Sequence, residues 1–293
     1  MQATVDKVKN TIVGTLKGTG EIVNAVAETA SGTLVTVLKS TGSVGKALTE
    51  AVADVASGVI RGTSQVGGDL GEATKGAVLG VLKGTKEVGG EALDAVGSTV
   101  RNLVKTTADV GGDVGTVARQ AMEGTIEGAS SVGVKGVDAV AAAATGAIQG
   151  VGGVGTATTQ AVSDVARGLI LGASHVGGDL GSVANGTLVG VLRGATDLSS
   201  QTTEAVATTA GSIVKATADV GGDVATAAKG AVEGAIRGAK EIGVDTAEAA
   251  SAAATGALRA AGDISTTAVE QVQRAATGVI SGVKVVAQAP FTK

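Results

Sequence analysis

The chain has 293 residues and a formal charge of -4, with 48 Gly, one Phe, one His, one Pro and no Trp, Tyr or Cys. Disulfides are impossible, zinc-type sites lack the converging Cys and His they need, and nucleic acid finds neither a basic footprint nor aromatic rings for base stacking. A core must be built from Val, Leu, Ile and Ala, with Gly bringing backbones close, because the rings that usually supply large buried areas are missing.

The chain starts MQATVDKVKNTIVGTLKG. It is amphipathic and charged where a secretory signal needs an apolar stretch. No signal is therefore expected, and the protein is expected to be intracellular, at the periphery of a membrane or on a lipid droplet. From here on, residues of one kind return every 22 positions. One register runs through Ile22, Val44, Val66, Val88, Val110, Val132, Val154, Val176, Leu198, Val220, Ile242, Ile264 and Val286. A second runs through Leu16, Leu38, Ile60, Leu82, Val104, Ile126, Ile148, Ile170, Leu192, Val214, Ile236, Leu258 and Ile280. Repetition at such a period builds stacked supersecondary units.

The unit from Val66 to Glu87 reads VGGDLGEATKGAVLGVLKGTKE. Twenty-two is twice eleven, and eleven residues close about three helical turns. On that wheel Val66, Leu70, Ala73, Ala77 and Val81 share a narrow sector with Leu82 at its edge, while Glu72, Lys75, Lys83, Lys86 and Glu87 lie opposite. The pattern predicts an amphipathic helix. Alternation by two is not sustained, although the abundance of Gly, Val and Thr keeps a β-solenoid as the alternative. The expected fold is all-α: one repeat domain over residues 1–286 and a tail over 287–293, which holds the only Pro and Phe.

Glycines fall on a fixed phase, four apart, at Gly58/Gly62, Gly80/Gly84, Gly124/Gly128, Gly168/Gly172, Gly190/Gly194 and Gly234/Gly238, with Gly14/Gly18, Gly146/Gly150 and Gly278/Gly282 in the same phase. On a helix such pairs make a flat strip that a second backbone can approach. Each interior Gly also weakens a helix by about 0.8–1 kcal/mol relative to Ala, so these helices need a partner, a lipid surface or an assembly. The doublets Gly67-Gly68, Gly89-Gly90, Gly111-Gly112, Gly177-Gly178 and Gly221-Gly222 precede Asp69, Glu91, Asp113, Asp179 and Asp223, as at helix N-termini. Lys83, Lys105, Arg193 and Arg237 follow near the expected helix ends. Two forms are open: a continuous helix of about 400 Å, or short helices of about 16–18 residues broken at the doublets and packed on one another.

A longer period overlies the short one. The unit at 66 returns at 176 as VGGDLGSVANGTLVGVLRGATD, and the unit at 110 returns at 220. Both shifts are 110 residues, which a duplicated five-unit block explains. The uncharged run from Ala139 to Ser163 is long enough to span a bilayer, but its Ala, Gly, Thr and Gln make it a poor membrane span. His175 stands where other units carry Asp197, Glu87 or Gln65, the place of a solvated polar residue rather than of a catalyst or ligand. Gly45-Lys46 is followed by Ala47, so it does not form a P-loop. Asn185-Gly186-Thr187 fits a glycosylation triplet, which carries weight only in a secreted chain. No cofactor, small-molecule substrate or enzyme activity is expected.

GVLKGTKEVGGEALDAVGSTV, GAVEGAIRGAKEIGVDTAEAASAAATGAL and VAAAATGAIQGVGGV resemble the 11-residue amphipathic repeats of synucleins, of the perilipin repeat region and of late-embryogenesis-abundant proteins. The resemblance implies coating of a droplet, vesicle or membrane by weak contacts acting in series. A non-enzymatic lipid-surface coat is therefore the first expectation, and the glycine strips supply the alternative, a self-assembling helical scaffold. Protection against stress or binding to ice is a third expectation. The expected partner is a lipid surface or another copy of the chain.

Overall fold

The computed structural model describes residues 2–16, 21–41, 45–152, 159–194 and 200–288. Each glycine doublet ends one helix and sets up the next. The first glycine is left-handed, with φ of +67 at Gly67, +69 at Gly89, +73 at Gly111, +71 at Gly177 and +70 at Gly221, a region that L side chains avoid. The second glycine donates its N–H back to the last helical turn: Gly68 to Thr63 O (3.0 Å), Gly112 to Thr107 O (2.8 Å) and Gly222 to Thr217 O (2.8 Å). That is a Schellman closure. The acid that follows then caps the next helix. Asp69 accepts from the Gly71 and Glu72 N–H groups at 2.7 and 3.0 Å.

The result is thirteen short helices among the described residues, so the broken form holds rather than one long rod. They are α1 (Gln2–Leu16), α2 (Ile22–Thr41), α3 (Gly45–Gln65), α4 (Leu70–Glu87), α5 (Ala92–Asp109), α6 (Val114–Val132), α7 (Gly136–Gly152), α8 (Thr159–His175), α9 (Leu180–Gly194), α10 (Ser200–Asp219), α11 (Val224–Ile242), α12 (Thr246–Ile264) and α13 (Thr266–Ala276). The helices from α4 to α7 begin at Leu70, Ala92, Val114 and Gly136, each 22 residues after the last. A β-solenoid is ruled out. The only strands among the described residues are β1 (Gly278–Ile280) and β2 (Val283–Val285), an antiparallel hairpin. Its two-residue loop is Ser281-Gly282, both with positive φ (51 and 81), as a primed hairpin turn requires.

The helices group into two compact units, Met1–Thr156 and Ala157–Lys293. In the first, α1, α3, α5 and α7 pack side by side in one layer and α2, α4 and α6 in a second. In the other unit α8, α10 and α12 form one layer and α9, α11 and α13 the second. The principal contact of a helix is thus with the helix two along the chain, and its immediate sequence neighbours lie in the facing layer. A helix in such an array is covered on three sides. In α4, Ala73, Ala77, Val81 and Leu82 are buried together with Gly76, Gly80, Gly84, Thr74 and Thr85.

Three expectations need correction. Val66 does not belong to the apolar sector of α4, because it lies in the turn before that helix. Its register mates Val88 and Val110 are C-caps, and Val110 is 40% exposed. Ile280 is in a strand, and Gly278 and Gly282 are in the hairpin rather than on a helix strip. The helical array ends at Ala276, ten residues before 286. Val44, Val154 and Leu198 lie outside the described residues, as do residues 289–293 of the expected tail.

Candidate functional site

The second apolar register supplies much of the core. Leu38, Ile60, Leu82, Val104, Ile170, Leu192, Val214, Ile236 and Leu258 are buried on their helices, and Ile280 is buried in the hairpin. Leu16, Ile126 and Ile148 are half-buried. The face predicted to be greasy is therefore turned toward other helices. Large apolar side chains exposed among the described residues are scattered: Leu93, Val110, Ile264, Val279 and Val286.

The glycine strips lie where helices of one layer meet. A Cβ on Gly80 would run into the Ala27 carbonyl oxygen, and one on Gly84 would come within 3.2 Å of Ser31 O. On Gly76 it would strike Val23 O. Val23, Ala27 and Ser31 advance by four along α2 as Gly76, Gly80 and Gly84 do along α4. The two helices therefore run parallel, with backbone against backbone. The same contact joins α3 to α1, where a Cβ on Gly58 would come within 2.7 Å of Val8 Cβ and one on Gly62 within 3.0 Å of Lys9 O. It joins α6 to α4, where a Cβ on Gly124 would come within 3.0 Å of Lys75 O and one on Gly128 would strike Leu82 Cδ1. In the second unit a Cβ on Gly234 would strike Asn185 O, and one on Gly238 would come within 3.1 Å of Val189 Cα. Gly168, Gly172 and Gly190 are buried, whereas the surroundings of Gly194 lie outside the described residues. Pair-spotting in the sequence missed Gly76, Gly230 and Gly256, which make equally close contacts with Val23, Gly181 and Ala207. The first two were legible as a third glycine four residues ahead of a pair.

Charged side chains span the same seams. Lys39 Nζ meets Glu87 Oε1 at 3.2 Å, Arg193 Nε meets Glu241 Oε2 at 2.6 Å and Lys215 Nζ meets Asp263 Oδ2 at 2.6 Å. Lys75 meets Glu127 at 2.7 Å, and Arg167 meets Asp219 at 3.0 Å. Partners are 48 residues apart in Lys39–Glu87 and 52 in Lys75–Glu127. Both separations exceed two repeats by about one or two helical turns, as staggered parallel neighbours require. Glu123 is the one charged side chain fully buried among the described residues, held between Arg119 (3.5 Å) and Lys75 (3.9 Å).

Two of the capping carboxylates, Asp113 and Asp223, are electrostatically tuned. Thr116 Oγ1 donates to Asp113 Oδ2 at 2.6 Å, and the Gly115 and Thr116 N–H groups donate to Oδ1 at 2.9 and 3.3 Å. These bonds, the threonine hydroxyl foremost, hold the Asp113 carboxyl below its ordinary range. Asp223 is lowered in the same way by Thr226.

One surface groove stands out, of about 800 Å³ and open to solvent on one side. α10 and α12 form its walls and Ser163 of α8 reaches its edge. Its floor is small: Ala207, Gly211, Gly256 and Ala260. Polar groups rim it, including the bonded hydroxyls of Ser163 and Ser212 (2.7 Å) and the Lys215–Asp263 pair. Val286 and Gln288 close one side. No histidine or cysteine is among its described lining residues.

His175 is exposed as the last residue of α8, in agreement with its solvated reading. Asn185-Gly186-Thr187 lies inside α9, with Thr187 buried and its hydroxyl on Val183 O at 2.8 Å. No group of three or more His, Cys, Asp or Glu among the described residues is placed to hold a metal ion. No described helix is long and apolar enough to cross a membrane, the Ala139–Ser163 run included where it is described.

No protein-family model and no curated protein matches the chain. Fold and surface together define the class: an all-helical packed array, two-layered within each unit, sealed by glycine strips and laced by ion pairs between neighbouring helices.

Proposed function

We propose that this protein is a non-enzymatic helical scaffold, an array that folds on itself and offers its polar flanks for assembly. One observation carries the reading. Gly76, Gly80 and Gly84 bring α4 against the α2 backbone so closely that a methyl group on any of them meets Val23, Ala27, Ser31 or Leu34. Contacts of that kind serve helix-on-helix packing and have no use on a helix lying singly on lipid. The apolar register points the same way, because Leu38, Leu82 and Leu192 are committed to other helices. A lipid coat would have to open the array to free them.

Circular dichroism and sedimentation without lipid test the proposal. A helical, monodisperse particle whose spectrum ignores anionic liposomes is expected. A disordered chain in buffer that turns helical only on liposomes would overturn the scaffold reading in favour of the lipid coat.

A further inference from the structure

Within each unit the glycine strips land on one place in the repeat. A Cβ on Gly62 comes within 3.0 Å of Lys9 O and one on Gly84 within 3.2 Å of Ser31 O, while those on Gly146, Gly234 and Gly256 run into Gly97 O, Asn185 O and Ala207 O. Each of these receiving residues lies a whole number of 22-residue repeats before Ser251. One turn further on, a Cβ on Gly150 comes within 2.7 Å of Arg101 O and one on Gly238 within 3.1 Å of Val189 Cα, and those two stand in the same relation to Thr255. Ser251 and Thr255 therefore mark, on α12, the seam that receives a glycine-strip helix elsewhere in the chain.

What lies on that seam is not a helix. After α13 the chain turns β-branched, with Val279, Ile280, Val283, Val285 and Val286, a composition that suits strand. β2 packs against α12 with Val285 buried. The Val286 N–H then donates to Ser251 Oγ at 3.3 Å and the Gln288 N–H to Thr255 Oγ1 at 3.1 Å. The Thr255 hydroxyl gives its own proton to Ser251 O at 2.7 Å, which leaves its oxygen to accept. The spacing has a simple origin, since two residues of extended chain rise about 6.4–6.8 Å and four residues of α-helix about 6 Å. Extended backbone thus satisfies the seam in place of a helix.

We propose that residues 278–288 are an end-stop strap: they cover the α12 seam on which a further glycine-strip helix would dock, and so keep α2 of a second copy of this chain from docking there. The occupant follows from the repeat. Gly32 and Thr36 of α2 hold the strip positions that Gly76 and Gly80 hold in α4, yet both are exposed and a Cβ on Gly32 meets nothing within 4 Å. A contact of α2 on α12 joins unlike faces, so it can propagate from copy to copy, and an array of repeats stays finite only when its terminal seam is covered. A scaffold role is not required for the strap to act.

Two full-chain variants open the strap without touching α12. Gly278→Val with Gly282→Val places β-branched residues at φ of +96 and +81, which they avoid, and a Cβ at either site meets nothing within 4 Å. Val286→Pro with Gln288→Pro removes the two N–H donors. In sedimentation the parent should keep one mass at all concentrations. Each opened variant should reach twice that mass or more as it is concentrated, with its helical circular dichroism retained. Adding Gly32→Leu, which blocks the exposed strip, should return the mass to that of the parent. Opened variants that stay helical and sediment as the parent does would overturn the proposal, as would association that Gly32→Leu leaves unchanged or a parent that associates as readily. Loss of helix in both variants would also overturn it, because the strap would then be part of the core rather than a stop.

Discussion

A glycine in this chain has a cost or a use according to what faces it. Gly32 lies exposed in the interior of α2, and a Cβ there meets nothing within 4 Å. Gly32→Ala should therefore raise stability by about 0.5–1 kcal/mol, through lost freedom in the unfolded chain and better helix propensity. Gly80→Ala adds the same methyl group against Ala27 O, where backbone must shift to admit it. A loss of about 1–3 kcal/mol is expected. Paired chemical denaturation curves check both signs at once. Threonines give a second case. Thr107 and Thr217 are fully buried, and their hydroxyls have no hydrogen-bond partner among the described residues. Their methyls pack on the glycines that close the turn, with Thr107 Cγ2 at 2.7 Å from a Cβ built on Gly112. Shape is what those sites use. Thr107→Val keeps the shape and removes an unbonded polar atom that costs about 1–3 kcal/mol to bury, so the variant should be at least as stable as the parent in the same assay.

Within one element, the N-cap decides where each helix starts. Asp113 and Asp223 are held below the ordinary aspartate value of 3.8, first by a threonine hydroxyl and then by backbone N–H groups. The sign follows from the direction of that shift. A carboxyl with a lowered folded-state value favours the fold above the unfolded value, and the advantage drains as pH falls below it. Asp113→Ala should cost about 1 kcal/mol at neutral pH, and the gap to the parent should shrink when denaturation is repeated at about pH 3. Glu91 is the internal comparison. It occupies the same position before α5 yet makes no side-chain cap hydrogen bond, so Glu91→Ala should change little at either pH. These starts were legible in the sequence, because Gly-Gly-Asp joins a left-handed closure to a capping acid. The apolar face was legible only in part. A helical wheel carried through Gly67-Gly68 treats a turn as helix and so places Val66 on a face it does not share. Ile280 kept the register while the chain around it changed to a hairpin. Lys75 falls on the polar face of the wheel, and its pairing with Glu127 across 52 residues is visible only once α4 and α6 are known to lie side by side.

At the scale of the molecule, two ways of using the same helices make opposite demands on the same residues. A helix spread on lipid needs an unbroken apolar face and is indifferent to what stands at the glycine positions. An array needs both, because Leu82 fills the space between helices while Gly80 and Gly84 set how close α2 can come. Gly80→Leu with Gly84→Leu should abolish cooperative thermal unfolding of the first unit, since two large side chains are forced against Ala27 and Ser31 where backbones touch. Leu82→Asp should do the same, by placing an unpaired charge at a site only 1% exposed. Lipid separates the two readings. For a scaffold, both variants lose structure and anionic liposomes restore neither. For a coat, liposomes restore helix to the double leucine variant, whose apolar face has grown, and fail with Leu82→Asp. Circular dichroism of both variants with and without liposomes therefore distinguishes a protein that packs on itself from one that spreads on a surface, whichever state the unmodified chain prefers in buffer.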